Sequence, residues 1–108
     1  MKIGEIILIP FPFTELTNIK VRPAVIITET KDKYKDLVVS AISSIVPSEI
    51  SNREILLLPD NTNNLRAESV IKVDRIVTLK RKDKIADLGK LSNKELIEFK
   101  AILIEMLK

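Results

Sequence analysis

The sequence contains no cysteine and no histidine, and only two glycines, Gly4 and Gly89. Without Cys and His it holds no Cys/His zinc site, no Cys–His dyad and no Ser-His-Asp triad. Any acid–base work must therefore use Asp, Glu, Lys, Arg, Tyr, Ser or Thr. So few glycines also exclude the glycine-rich phosphate loops, both the P-loop and the dinucleotide fingerprint. No cofactor is implied. Aromatic residues make up only 4% of the chain, which leaves few rings for stacking. No apolar run reaches the roughly 18 residues of a membrane helix. The start, Met1 to Glu5, lacks the basic flank and apolar stretch of a signal peptide. The expectation is a cytoplasmic protein with no membrane partner.

What is present is ordinary globular material. Of 108 residues, 45% are hydrophobic and 31% charged, which is too apolar for intrinsic disorder. One domain over residues 1–108 is expected, large enough to bury roughly two thirds of its unfolded surface. The net charge of +3 permits a polyanionic partner without requiring one.

The first two thirds read as short strands. Ile3 to Ile9 is almost continuously apolar and stops at Pro10, the pattern of a buried strand. The prolines in Phe11-Pro12-Phe13-Thr14 deny ladder bonds, so the chain leaves the sheet there. Further strands are predicted at Ala24 to Thr30, Leu37 to Ser43 and Glu54 to Leu58. Ser69 to Asp74 and Ile76 to Leu79 form two more, or one bent strand, and Ile85 to Leu88 adds a short piece. Asp60 to Asn64 is a turn, since Asn and Asp close turns through their own side chains.

The period changes at the end. Ser92-Asn93-Lys94-Glu95 matches a capping box, and Leu96, Phe99, Leu103 and Leu107 recur at helical spacing. This predicts a helix from about Asn93 to Leu107. Its apolar surface is wider than one core-facing stripe requires, which leaves open deep burial or contact with a second subunit. Short strands at close spacing and one terminal helix give a mainly β fold, a small and strongly bent antiparallel barrel.

Several segments carry a more specific signal. Gly4-Glu5-Ile6-Ile7-Leu8-Ile9-Pro10-Phe11-Pro12-Phe13-Thr14 closely resembles the opening of the PemK/MazF family of toxin endoribonucleases. Arg22-Pro23-Ala24-Val25-Ile26-Ile27 is similar to the Arg-Pro-Ala/Val motif that opens the family's second strand. Val38-Val39-Ser40-Ala41-Ile42-Ser43-Ser44 resembles its third strand. Leu65, then Ser69-Val70-Ile71-Lys72-Val73-Asp74, then Leu88-Gly89-Lys90-Leu91-Ser92 and the helix fit the remainder in order. The opening looks most like the PemK-like branch. The resemblance implies an SH3-like barrel of the MazF/PemK/CcdB toxin type, usually a homodimer. It also implies metal-independent cleavage of single-stranded mRNA, inhibition by a cognate antitoxin, and contact with operator DNA through the antitoxin complex.

RNA can be cut without metal or histidine when the ribose 2′-OH attacks the adjacent phosphorus. A base near the 2′-OH, an acid near the leaving oxygen and positive charge on the phosphorane are then needed. Arg22 matches the family arginine that stabilises the transition state, and its guanidinium can fork onto two phosphate oxygens. Ser43 matches a position where many members carry a catalytic Thr; Ser44 lies one register slip away. Lys72 and Asp74, one residue apart on a strand, project from one face, so Asp74 could take the 2′-OH proton while Lys72 holds the phosphate. A cross-strand ion pair would give the same pattern. Lys20, Arg53 and Arg75, with Arg22, Lys72, Lys80 and Arg81, supply charge for an RNA strand, and Phe13 is a stacking candidate. Lys80-Arg81-Lys82-Asp83-Lys84 reads as a solvated turn.

The chain also departs from the family pattern. Thr14 to Val21 lacks the glycines that many relatives carry before the Arg-Pro pair, and the His some use there. Arg75 stands where the family has Gln, and Lys72 where some members have Arg. Two other functions stay open: a CcdB-like gyrase poison, with contacts on the C-terminal helix, and a catalytically silent member that binds antitoxin or DNA.

Overall fold

The computed structural model describes residues 2–10 and 20–108. Six strands and one α-helix follow in order: β1 Glu5–Pro10, β2 Val21–Glu29, β3 Leu37–Ser43, β4 Glu54–Leu57, β5 Ser69–Leu79, β6 Ala86–Lys90 and α1 Asn93–Met106, with a single 3-10 turn at Arg81–Asp83 between β5 and β6. The strands form one antiparallel sheet in the order β4-β5-β3-β2-β1-β6. It curls into a half-barrel, with α1 packed against β4 and β5. The mainly β reading with a C-terminal helix therefore holds. Phe13, with the rest of residues 11–19, lies outside the described residues.

Alternation along the strands puts apolar side chains on both faces. One face buries Ile6, Val25, Ile42, Ile71 and Val73 with Phe99 of the helix. The other buries Ile7, Ile9, Ala24, Ile26, Leu37 and Val39. Helix α1 begins as the sequence predicts. The Ser92 hydroxyl accepts from the Glu95 amide at 3.2 Å, and the Glu95 carboxylate accepts from the Ser92 amide at 2.8 Å. Phe99 is fully buried, whereas Ile97 and Ile104 are 70% and 60% exposed. The wide apolar surface is therefore divided: one stripe packs on the core and another faces outward.

Of the two readings after Ser69, the single bent strand is the one found. The β3–β5 ladder jumps from Ser40↔Ile76 to Ala41↔Lys72, leaving Val73, Asp74 and Arg75 as a bulge. The bulge is held from both sides. The buried Ser40 hydroxyl donates to the Val73 carbonyl at 2.8 Å, and the Val73 amide donates to the Arg53 carbonyl at 3.0 Å.

The Asp60–Asn64 turn is anchored rather than loose. Asn63 is fully buried. Its side-chain oxygen accepts from the Asp60 and Leu65 amides, and its amide donates to the Leu58 carbonyl. The turn packs directly on β6 at Gly89, where a Cβ would lie 2.3 Å from the Thr62 carbonyl oxygen.

Candidate active site

Two strand ends build the centre. Ala24 pairs with Ala41, and the β2–β3 ladder starts there, immediately after Pro23. Proline has no N–H to extend a ladder. Arg22 and Ser43 lie two residues beyond the Ala24–Ala41 pair on their respective strands. Period-2 alternation therefore places both on the face of Ala24 and Ala41, at the parted end of β2 and β3. Arg22 stands opposite Ile9 of β1 and Ser43 opposite Val70 of β5. Arg22 is half-buried, and its Nε is withdrawn from solvent. The Ser43 hydroxyl accepts from the Ile45 amide at 3.1 Å, which leaves its proton free to be donated elsewhere. Ser44 lies past the strand end and lines a separate cavity with Pro23, Leu65 and Arg66.

Lys72 belongs to the neighbouring row of the same face, because Ala41 pairs with Lys72 and Lys72 with Glu54. Diagonal neighbours across a ladder sit about 7–8 Å apart, so Lys72 is one diagonal step from Ser43. The structure gives Lys72 a partner that the sequence does not suggest. Its ammonium donates to the Glu54 carboxylate at 3.0 Å, with both side chains largely covered, 28% and 12% exposed. The Ser51 amide also donates to Glu54 at 2.8 Å. That amide and then the Lys72 ammonium hold the Glu54 pKa below the usual carboxylate range.

Lys72 and Asp74 do not act on one another as a pair. Asp74 lies in the bulge, exposed, with Arg53 Nη1 at 3.9 Å. The alternation itself is as predicted, since Ile71 and Val73 are fully buried while Lys72 is half-buried and Asp74 exposed. Arg75 is exposed beside Asp74, and Lys20 is exposed just before β2. Arg22, Ser43 and Lys72 thus share a face, and Arg53 joins Asp74 at the bulge. Glu54 and Ser40 are the residues that sequence reasoning misses. Neither stands in a recognisable spacing, and each matters only because a ladder register brings it to Lys72 or Val73.

The arrangement offers a guanidinium, a hydroxyl and an ammonium on one face, with carboxylates beside them. Such a set suits an oxyanion or phosphate rather than a carbonyl nucleophile. Among the described residues no group of three or more Asp and Glu stands together as a metal-ion cage. None of their helices is long and apolar enough to cross a membrane.

Comparison with known proteins gives a family. No curated protein matches the chain closely enough to stand as a relative. A family model described as PemK-like, MazF-like toxin of type II toxin–antitoxin systems matches residues 2–107, from the first strand through the helix. The chain belongs to this toxin family, and membership implies an antitoxin partner.

Proposed function

We propose that the chain is a single-domain, cytoplasmic endoribonuclease toxin that cuts single-stranded mRNA by transesterification. The observation that carries the reading is the placement of Arg22 and Ser43 on one sheet face, at the parted end of β2 and β3, with Lys72 in the next row. The ribose 2′-oxygen bonds to phosphorus, and the bond from phosphorus to the 5′-oxygen breaks. Arg22 faces the charge that develops on the phosphorane, and the Ser43 hydroxyl donates to a phosphate oxygen. Asp74 takes the 2′-OH proton, and Lys72 contributes charge once phosphate competes with Glu54. The leaving 5′-oxygen receives a proton from water held beside the Arg22 guanidinium, and the proton on Asp74 passes to solvent. Products are a 2′,3′-cyclic phosphate and a 5′-hydroxyl. Lys20, Arg53 and Arg75 lie on the approach as backbone contacts. Homodimerisation and operator binding through the antitoxin complex belong to the same reading.

The test uses purified protein, excess EDTA and a long single-stranded RNA, with a DNA copy and the Arg22→Ala variant beside it. Cleavage of RNA only, lost in the variant and leaving cyclic phosphate ends, is the expected result. Absence of cleavage across varied RNA sequences sinks the catalytic reading.

One observation favours a second reading. Ile97 and Ile104, one heptad apart on α1, are mostly exposed, which gives the helix an apolar face for a protein. A gyrase poison acting through this face, or a silent antitoxin-binding member, would keep its binding in Arg22→Ala and lose it in Ile97→Asp.

A further inference from the structure

The end of the sheet remote from Arg22 carries a second constellation. Strands β2 and β3 meet there in the hairpin of residues 30–36, and β5 runs out into Lys80, Arg81 and Lys82. The two segments are tied together. Arg81 pairs with Glu29, and the ladder starts at Leu37↔Leu79. Between them lies an open cavity of about 770 Å³, lined by Tyr34, Asp36, Lys80, Arg81 and Lys82.

The hairpin is built to hold its tip in place. One Asp32 carboxylate oxygen accepts from the Thr30 hydroxyl at 2.9 Å and from the Tyr34 and Lys35 amides at 3.1 and 3.2 Å. The Thr30 hydroxyl accepts from the Asp36 amide at 2.8 Å. Lys35 takes the left-handed conformation, φ 49°, that closes the turn. Tyr34 is thereby presented outward, 64% exposed, with the Lys33 ammonium 5.2 Å from its ring centre. A chain with so few aromatics places its one tyrosine on a hydrogen-bonded tip beside exposed lysines.

We infer that this pole is a second contact for single-stranded RNA, holding a segment of the substrate away from the cleavage centre. The inference rests on the reading of the chain as an RNA-cutting toxin and extends it. An exposed ring among ammonium groups suits a base stacked above a phosphodiester backbone. An acidic peptide would use the lysines but would gain little from the ring. From Arg22 to Glu29 along β2 is roughly 23 Å at 3.3 Å per residue. A short oligonucleotide therefore reaches only one end, and a long one reaches both.

The test measures binding of labelled single-stranded RNA with 2′-O-methyl riboses, which lacks the attacking hydroxyl and is not cut. Two lengths are compared, one short and one several times longer, on wild type, Tyr34→Ala and Lys80→Glu/Lys82→Glu. All three side chains are exposed, so the variants retain the fold, checked by circular dichroism. The double variant is expected to weaken the long probe by ten-fold or more. It should also flatten the salt slope by about 1.4, or 0.7 per lost phosphate contact. Tyr34→Ala is expected to weaken it by about five-fold or more, and the short probe should bind all three equally. Unchanged long-probe affinity in both variants overturns the inference. So does equal weakening of the short probe, or an Asp/Glu-rich peptide that binds the pole more tightly than RNA does. Cleavage of unmodified RNA is scored separately. A wild type that cuts RNA while the variants bind normally removes the second contact and leaves the catalytic reading standing. A wild type that cuts none removes the catalytic reading and with it the substrate on which this inference rests.

Discussion

The Glu54 carboxylate meets the Lys72 ammonium at 3.0 Å across the β4–β5 ladder, on the same sheet face as Arg22 and Ser43. Lys72 therefore reaches the candidate centre already neutralised. An RNA phosphate must take it from Glu54, and Glu54 must then be left with its hydrogen bonds to Ser51. Pairs of this kind contribute little when exposed, but this one is largely covered, so the exchange has a cost.

Glu54→Gln removes that competitor and keeps the shape. The expected outcome is tighter binding of uncleavable RNA, by a few-fold, and a salt slope steeper by about 0.7 from one newly available cation. Lys72→Met should cancel the gain in the double variant. A titration of the four proteins at several salt concentrations checks this, and equal affinity throughout would detach Lys72 from the RNA path.

Ser43 and Ser44 are separable. Ser43 shares a face with Arg22, whereas Ser44 lines the cavity beside Pro23. Ser43→Ala is expected to reduce the single-turnover cleavage rate by roughly 10²-fold, the scale of losing one donor to developing charge. Ser44→Ala should leave the rate within about two-fold, since an exposed hydroxyl off that face donates to nothing that develops charge. The reverse order of effects would show that the register argument assigns the wrong serine.

Gly89 has no room for a side chain against the Thr62 carbonyl. The neighbouring turn depends on the buried Asn63 amide for bonds to Asp60, Leu65 and Leu58. Gly89→Ala is expected to cost about 3 kcal/mol, the upper end for single substitutions. Asn63→Ala should cost about 2–3 kcal/mol through orphaned backbone groups. Urea unfolding followed by circular dichroism measures both; a change below about 0.5 kcal/mol in either would contradict the anchored turn.

Acid should weaken the fold through three carboxylates. The Ser51 amide and Lys72 lower the Glu54 pKa, and the Thr30 hydroxyl lowers that of Asp32. At Glu29 partial burial pulls upward, but the Arg81 hydrogen bond and charge prevail and lower it. Each group binds its proton more readily when unfolded, so stability rises with pH across the carboxylate range. It is fully present above the unfolded values and is lost as pH falls through the folded ones. Melting temperature measured from pH 7 to pH 3 should fall on the acid side, and Glu54→Gln should flatten that fall.

Much of the fold is legible in the residues. Ser92 and Glu95 mark the helix start because a capping box is local. The strands after Val21 show in their β-branched runs, with boundaries set by charged and proline-containing turns. Arg22 and Ser43 come from motif resemblance, and their shared face follows only once the register is known. The Val73–Arg75 bulge is not legible, since it depends on Ser40, thirty-three positions away in sequence. The same holds for Glu54, which looks like one more charged residue beside Arg53 until β4 pairs with β5. Long-range register has no local signature, and the chemistry of this face is set by register.

Strand β4 pairs only with Ser69 to Lys72, so among the described residues the far half of β5 has a ladder on one side alone. Ile76, 44% exposed, and Thr78 stand on that half. Such a border can recruit an extended segment from another molecule, and lysines beside it deter that pairing. The bulge bends β5 where the uncovered half begins, and Lys80, Arg81 and Lys82 follow where it ends. The basic run thereby also guards solubility: replacing it with neutral residues would leave a half-apolar strand edge open to self-association as the protein is concentrated.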